Sequence, residues 1–173
     1  MNISDLARGF PPVCNADAQV LVLGSMPGRA SLQACRYYAH PQNAFWPIIE
    51  NLFGFHDPLD YAERTRLLMR HRIALWDVLR TCLRNGSLDS SIKASSIVAN
   101  DFTAFYESVP DIQVVLFNGA TAEREYIKRI IPTLSKKYAK LPSYRLPSTS
   151  PAMAGMTKEQ KIEQWRLIKE FLK

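Results

Sequence analysis

Three near-continuous apolar runs constrain this chain more than any other feature: AQVLVLG (residues 18–24), RIALWDVL (72–79) and IQVVLFNG (112–119). A strand with one wet face alternates apolar and polar residues. A run without alternation is buried on both faces, as in a parallel sheet covered by helices. SYRLP (143–147) supplies a weaker fourth run. Helical stretches fall between them. LDYAERTRLLMRH carries Asp60 and Glu63 in a capping pattern, NDFTAFYESV precedes the third run, and ATAEREYIKRII follows it. Near the end, Thr157 and Gln160 form a T-x-x-Q box, and Ile162, Trp165, Ile168 and Leu172 recur at helical spacing. The alternation predicts an α/β fold, a three-layer α/β/α arrangement around a central, mostly parallel four-stranded sheet. At 173 residues, one domain over 1–173 is the simplest organisation.

In such sheets ligands bind beyond the carboxyl ends of the strands. GSMPGRAS, WDVLRT, NGATAE and PSTSPAMAG are therefore expected to meet at one rim. In the first, Gly24 and Gly28 let the backbone approach a ligand and Pro27 stiffens the turn. The loop is neither G-x-G-x-x-G nor a Walker loop, so a nucleotide cofactor has little support.

The segment YYAHPQNAFWPII (37–49) adds aromatic walls and one amide. Tyr37 or Tyr38 could stack on a base, a contact worth roughly 1–3 kcal/mol. Asn43 offers one acceptor and two donors, enough to hold a water or read a base edge; capping a helix is the alternative. Phe45, Trp46 and Ile49 read as core, and His40 as a turn residue beside the site.

With 22 Lys and Arg against 16 Asp and Glu, the net charge is +6. An anionic partner is favoured, nucleic acid before a membrane surface, although a merely basic enzyme fits as well. Lys128, Arg129, Lys136 and Lys137 form either a solvated face or a track for DNA. Three cysteines without a CxxC pair fit a reducing compartment. No signal peptide and no apolar run of ~18 residues is evident, so an intracellular protein without a membrane partner is expected. His40, His56 and His71 lack metal-ligand spacing, and no metal is expected.

Taken in order, LVLGSMPG, YYAHPQNAFWPII and LPSTSPA resemble the uracil-DNA glycosylase superfamily, and within it the hypoxanthine-DNA glycosylase branch. AHPQNAFW is also similar to the mismatch-specific uracil-DNA glycosylases. IALWDVL and GSLDSSI extend the likeness, which runs from about Val20 to Ala152. The resemblance implies base flipping and hydrolysis of the N-glycosidic bond of deoxyinosine, which releases hypoxanthine and leaves an abasic site. The implied partner is DNA containing a deaminated base, acted on by a monomer with no cofactor. Bond breaking would pass through an oxocarbenium-like sugar cation. The pocket segments supply no lysine for a Schiff base, so a monofunctional enzyme is expected.

Carried onto this sequence, the resemblance makes Asn43 catalytic. Gly24, Ser25, Met26, Pro27, Gly28, Tyr38, Asp77 and Asn118 become base-binding. By residue type, Ser148, Thr149 and Ser150 suit DNA-binding through phosphates and Met153 suits a wedge between bases, although related sequences usually carry asparagine at that position; an ordinary Ser/Pro loop is the alternative. An ionised Asp77 could accept from the N1–H of hypoxanthine; a helix cap or an arginine pair is the alternative. Asn118 is expected to brace the pocket. The chain departs from the uracil-excising branches at three points. Met26 replaces a polar first-loop residue, Leu146 stands where a histidine is used, and three cysteines are too few for an iron–sulfur site. The rival readings are a glycosylase for uracil or another deaminated base, and a non-catalytic nucleic-acid or nucleotide-binding module.

Overall fold

The computed structural model describes residues 6–55, 57 and 59–172. His56 and the first five residues, on which part of the metal and leader expectations rested, lie outside the described residues. The elements run β1 (Leu6–Arg8), β2 (Val20–Gly24), α1 (Arg29–Ala34), α2 (Phe45–Leu52), α3 (Tyr61–Arg70), β3 (Ile73–Asp77), β4 (Leu79–Leu83) and β5 (Val98–Ala99). They continue with α4 (Phe102–Ser108), β6 (Val114–Asn118), α5 (Ala120–Arg129), α6 (Lys136–Ala139), β7 (Ser143–Leu146) and α7 (Lys158–Trp165).

The four apolar runs supply β2, β3, β6 and β7, which form one parallel sheet in the order β3-β2-β6-β7. Successive residues of β2 point to opposite faces, and both faces are covered. Leu21 and Leu23 pack with Phe102, Phe105 and Tyr106 of α4 and Tyr126 of α5. Val20 and Val22 pack with Phe45, Trp46 and Ile49 of α2, Leu68 of α3 and Trp165 of α7. This is the expected three-layer arrangement.

The sequence caps form as read. The Glu63 N–H donates to Asp60 Oδ1 at 2.7 Å and the Asp60 N–H to Glu63 Oε2 at 2.8 Å. Thr157 and Gln160 make the same reciprocal pair, each worth about 1 kcal/mol. The last helix differs in one respect: α7 stops at Trp165 and the chain continues as a 3-10 turn, Arg166–Phe171, which still buries Ile168.

RIALWDVL is not one strand. β3 ends at Asp77, where the Val78 and Leu79 N–H groups donate to the Gly24 and Ser25 carbonyls. The chain then joins a small antiparallel sheet, β1-β4-β5. Strand register brings Gly24 opposite Asp77 and Asn118 opposite Leu146, so the functional candidates collect along the carboxyl rim of the parallel sheet.

Candidate active site

A cavity of about 560 Å³ opens at this rim, within the range of small-molecule sites. Its walls include the Gly24–Gly28 loop, Tyr37, Tyr38, His40 and Asn43, Asp77, Asn118, Ser87 to Asp89, and the Ser148–Met153 loop. The four segments expected at one rim therefore meet, joined by the GSLDSS loop.

The two tyrosines have different fates. Tyr37 is 3% exposed; its hydroxyl donates to the Pro11 carbonyl at 3.0 Å, and its own carbonyl accepts from Trp46 Nε1–H at 2.8 Å. It is a core residue, not a stacking platform. Tyr38 takes a left-handed backbone (φ 53°) that turns its ring onto Phe45, centroids 4.1 Å apart. Asn118 Nδ2–H donates to the Tyr38 hydroxyl at 3.0 Å. Burial pushes that hydroxyl far above the usual phenol range, so it stays protonated.

Asn118 braces the rim. Its second Nδ2–H donates to Thr149 Oγ1 at 2.9 Å, and its Oδ1 accepts from the Thr149 N–H at 2.9 Å. Thr149 is 1% exposed, and its carbonyl accepts from the Ala44 N–H. All its polar groups face inward, contrary to the expectation of a phosphate contact. Ser148 and Ser150 are partly exposed, each Oγ accepting the backbone N–H two residues on, and Met153 stands 41% exposed at the cavity wall. Helix α7 fastens this loop at both ends. Trp165 Nε1–H donates to the Pro147 carbonyl at 3.0 Å, and Lys161 Nζ donates to the Met153 carbonyl at 2.9 Å.

Asn43 sits where the loop enters α2. Its Oδ1 accepts from the Phe45 N–H at 3.0 Å, and no protein partner lies against Nδ2 among the described residues. The amide thus caps the helix with one lone pair while Nδ2 remains for the cavity. His40 is exposed, and its Nδ1 accepts from the Gln42 N–H at 3.1 Å, a turn role as read.

Asp77 is 3% exposed, and Oδ2 has no hydrogen-bond partner. It neither caps a helix nor forms an ion pair among the described residues. A Cβ on Gly24 would lie 2.3 Å from Asp77 Oδ1 and 3.0 Å from the Tyr38 hydroxyl, so glycine is required to seat this carboxyl. Burial first, and the nearby Asp89 second, push Asp77 up to about 7, against a smaller opposing pull from Arg84. Near neutral pH this carboxyl therefore divides between its ionised and neutral forms, where the sequence reading took it as ionised.

Sequence reasoning missed Asp89 and Arg84. Ser25 Oγ–H donates to Asp89, 2.8 Å from both carboxylate oxygens, and burial raises Asp89 above the usual carboxylate range. Arg84 is buried and donates to the Pro27 and Gly86 carbonyls, shaping the first loop from below. GSLDSSI gave the signal, yet nothing in it placed the aspartate beside a serine 64 positions away. Met26 lines the cavity but packs in the core, and Leu146 is core. The basic run lies apart from the cavity: Arg129 Nε pairs with Glu125 at 2.7 Å, and Lys137 Nζ donates to the Pro110 carbonyl. Among the described residues no His, Cys, Asp and Glu cluster could hold a metal ion, and no helix is long and apolar enough to cross a membrane.

Comparison with known proteins gives a consistent picture. The family model of the Uracil DNA glycosylase superfamily matches residues 11–172. A hypoxanthine DNA glycosylase of Methanosarcina acetivorans is 33% identical over 165 residues, 94% of this chain and 98% of that one. One from Methanosarcina barkeri is 38% identical over 113 residues, 65% of this chain and 70% of its own. A solution NMR structure from M. acetivorans, described as a candidate uracil DNA glycosylase, superposes with a TM-score of 0.74. It is 32% identical and covers 95% of this chain and 99% of its own.

Proposed function

Because the chain belongs to the Uracil DNA glycosylase superfamily, we propose that its rim cavity receives a nucleotide flipped out of DNA and that the enzyme hydrolyses deoxyinosine. The glycosidic bond breaks first, its electron pair passing to the base while the sugar becomes an oxocarbenium-like cation. Water then adds at the anomeric carbon, loses a proton, and leaves hypoxanthine and an abasic site.

The observation that carries this reading is the placement of Asn43. A non-ionising amide stands at the cavity wall, anchored through Oδ1, with Nδ2 unengaged. A dissociating bond needs no strongly basic nucleophile, and an anchored amide can position a water or a departing group. Tyr38 gives the base a stacking face, Asp77 meets its edge, and the Gly24–Gly28 backbone closes over it. Ser148 and Ser150 contact phosphates, Thr149 supports them, and Met153 fills the gap left in the duplex.

Hypoxanthine is favoured over uracil because Met26, at the cavity wall, is apolar where the uracil-excising branches use a polar residue, and the core residue Leu146 stands where they use a histidine. The test is Asn43→Ser, which keeps a good capping oxygen but cannot reach as far into the cavity. Single-turnover excision of hypoxanthine should fall by about 10²-fold or more while DNA binding and melting temperature hold. Wild-type excision by a folded Asn43→Ser protein would refute the catalytic assignment.

A further inference from the structure

Asp77 and Asp89 flank two consecutive residues of the first loop. Asp77 fills the space that the missing Cβ of Gly24 leaves, and Asp89 is held by the hydroxyl of Ser25. Both carboxyls line the cavity. The one buried cation nearby, Arg84, is turned to the Pro27 and Gly86 carbonyls and forms an ion pair with neither among the described residues. The other titratable groups near Asp77 are Tyr38 and Tyr37, both neutral, while Asn118 and Gly24 bring no charge. Asp89 has the Ser25 and Thr121 hydroxyls and the Arg84 and Arg124 charges to favour its ionised form, whereas Asp77, buried and without a donor of its own, cannot ionise cheaply beside it.

We propose that Asp77 meets the flipped base as a neutral carboxyl, and that Asp89 is the positioning residue that keeps it so. The inference rests on the glycosylase reading above. A neutral carboxyl is one donor and one acceptor side by side. The N1–H and O6 edge of hypoxanthine is the complementary pair, so Asp77 accepts from N1–H and donates to O6 in a two-bond ring. An ionised Asp77 would face O6 with a second acceptor. As the glycosidic bond breaks, its electron pair spreads over the purine to O6, and the Asp77 O–H bond strengthens with that charge. A carboxylate would repel the same charge. Oδ2 is buried without a partner in the protein, so the carboxyl at the cavity wall carries unmet hydrogen-bonding capacity.

The test has two arms. First, the side-chain carboxyl carbon of Asp77 is followed by NMR in the wild-type protein. It should titrate near neutrality, and a midpoint in the ordinary carboxylate range of about 4 would overturn the proposal. Second, single-turnover hypoxanthine release is measured from about pH 5 to about pH 9. Wild type should lose rate about tenfold per unit above the Asp77 midpoint. Asp89→Asn, whose amide oxygen can still accept from Ser25, should move that limb to lower pH by about half a unit or more. Asp77→Asn, which cannot ionise, should lose the limb whatever its rate. A limb that persists in Asp77→Asn, or one that Asp89→Asn leaves in place, overturns the proposal alone. No release of hypoxanthine by wild type at any pH overturns both the proposal and the function on which it rests.

Discussion

Replacing Asp77 by asparagine should favour the folded protein increasingly as pH rises from acid to alkaline. The folded carboxyl sits at about 7 against 3.8 for the free group. A raised carboxyl holds its proton longer in the folded state than in the unfolded chain. The stability tied to the neutral form is complete below about pH 4 and is lost as pH rises through about 7. At about 1.4 kcal/mol per unit, the three-unit difference amounts to about 4 kcal/mol above neutrality. Between about pH 5 and about pH 8 the change is about 3 kcal/mol, a large share of a usual domain stability. Asparagine has the same shape and never ionises, so it removes this dependence. The unpaired N–H it introduces costs the same at every pH. Urea unfolding of both proteins at the two pH values reads the difference directly. The gap between variant and wild type should shift by about 3 kcal/mol toward the variant at the higher pH. A gap that does not change with pH would refute the account of a buried, unpaired Asp77.

Gly24→Ala should displace the Asp77 carboxyl, because its Cβ would stand 2.3 Å from Oδ1; kcat/KM on hypoxanthine-containing duplex should fall at least about tenfold. An unchanged value would mean that the carboxyl does not meet the base. Asn118→Ala removes three hydrogen bonds tying Tyr38 and Thr149 together, at about 1 kcal/mol each, so unfolding free energy should drop by about 3 kcal/mol. A drop under about 0.5 kcal/mol would deny Asn118 its bracing role. Met153→Ala should slow excision from duplex DNA while sparing a single-stranded substrate, which needs no wedge. Equal effects on both would remove that assignment.

The central sheet was legible because its strands are buried on both faces, which writes near-continuous apolar runs into the sequence. The β1-β4-β5 sheet was not, since strands of three, five and two residues with mixed burial leave no period to read. LWDVL looked like one strand because the switch from β3 to β4 rests on the Gly24 and Ser25 carbonyls, which are far away in sequence. Within the site, Asn43, Gly24 and Asn118 were readable from residue type at strand and helix ends. The choice of Tyr38 over Tyr37 came with the resemblance and not from residue type. It is decided by the positive φ at Tyr38 and by the Tyr61 hydroxyl, which accepts from the Tyr37 N–H. Thr149 reads like its serine neighbours, and only its tertiary bonds to Asn118 turn it inward. Asp89 was hidden for a related reason: its partner Ser25 lies in another loop, and a polar stretch such as GSLDSS usually faces solvent.

The most direct test of the account is base release. The protein is incubated with duplexes carrying a single hypoxanthine, uracil, xanthine or mismatched thymine, and the free base and the abasic strand are both quantified. Free hypoxanthine in equal amount to abasic sites, with little or no uracil, is the predicted result. Release of uracil but not hypoxanthine would contradict the specificity argued from Met26, Leu146 and Asp77, and no release from any duplex would contradict the enzyme itself.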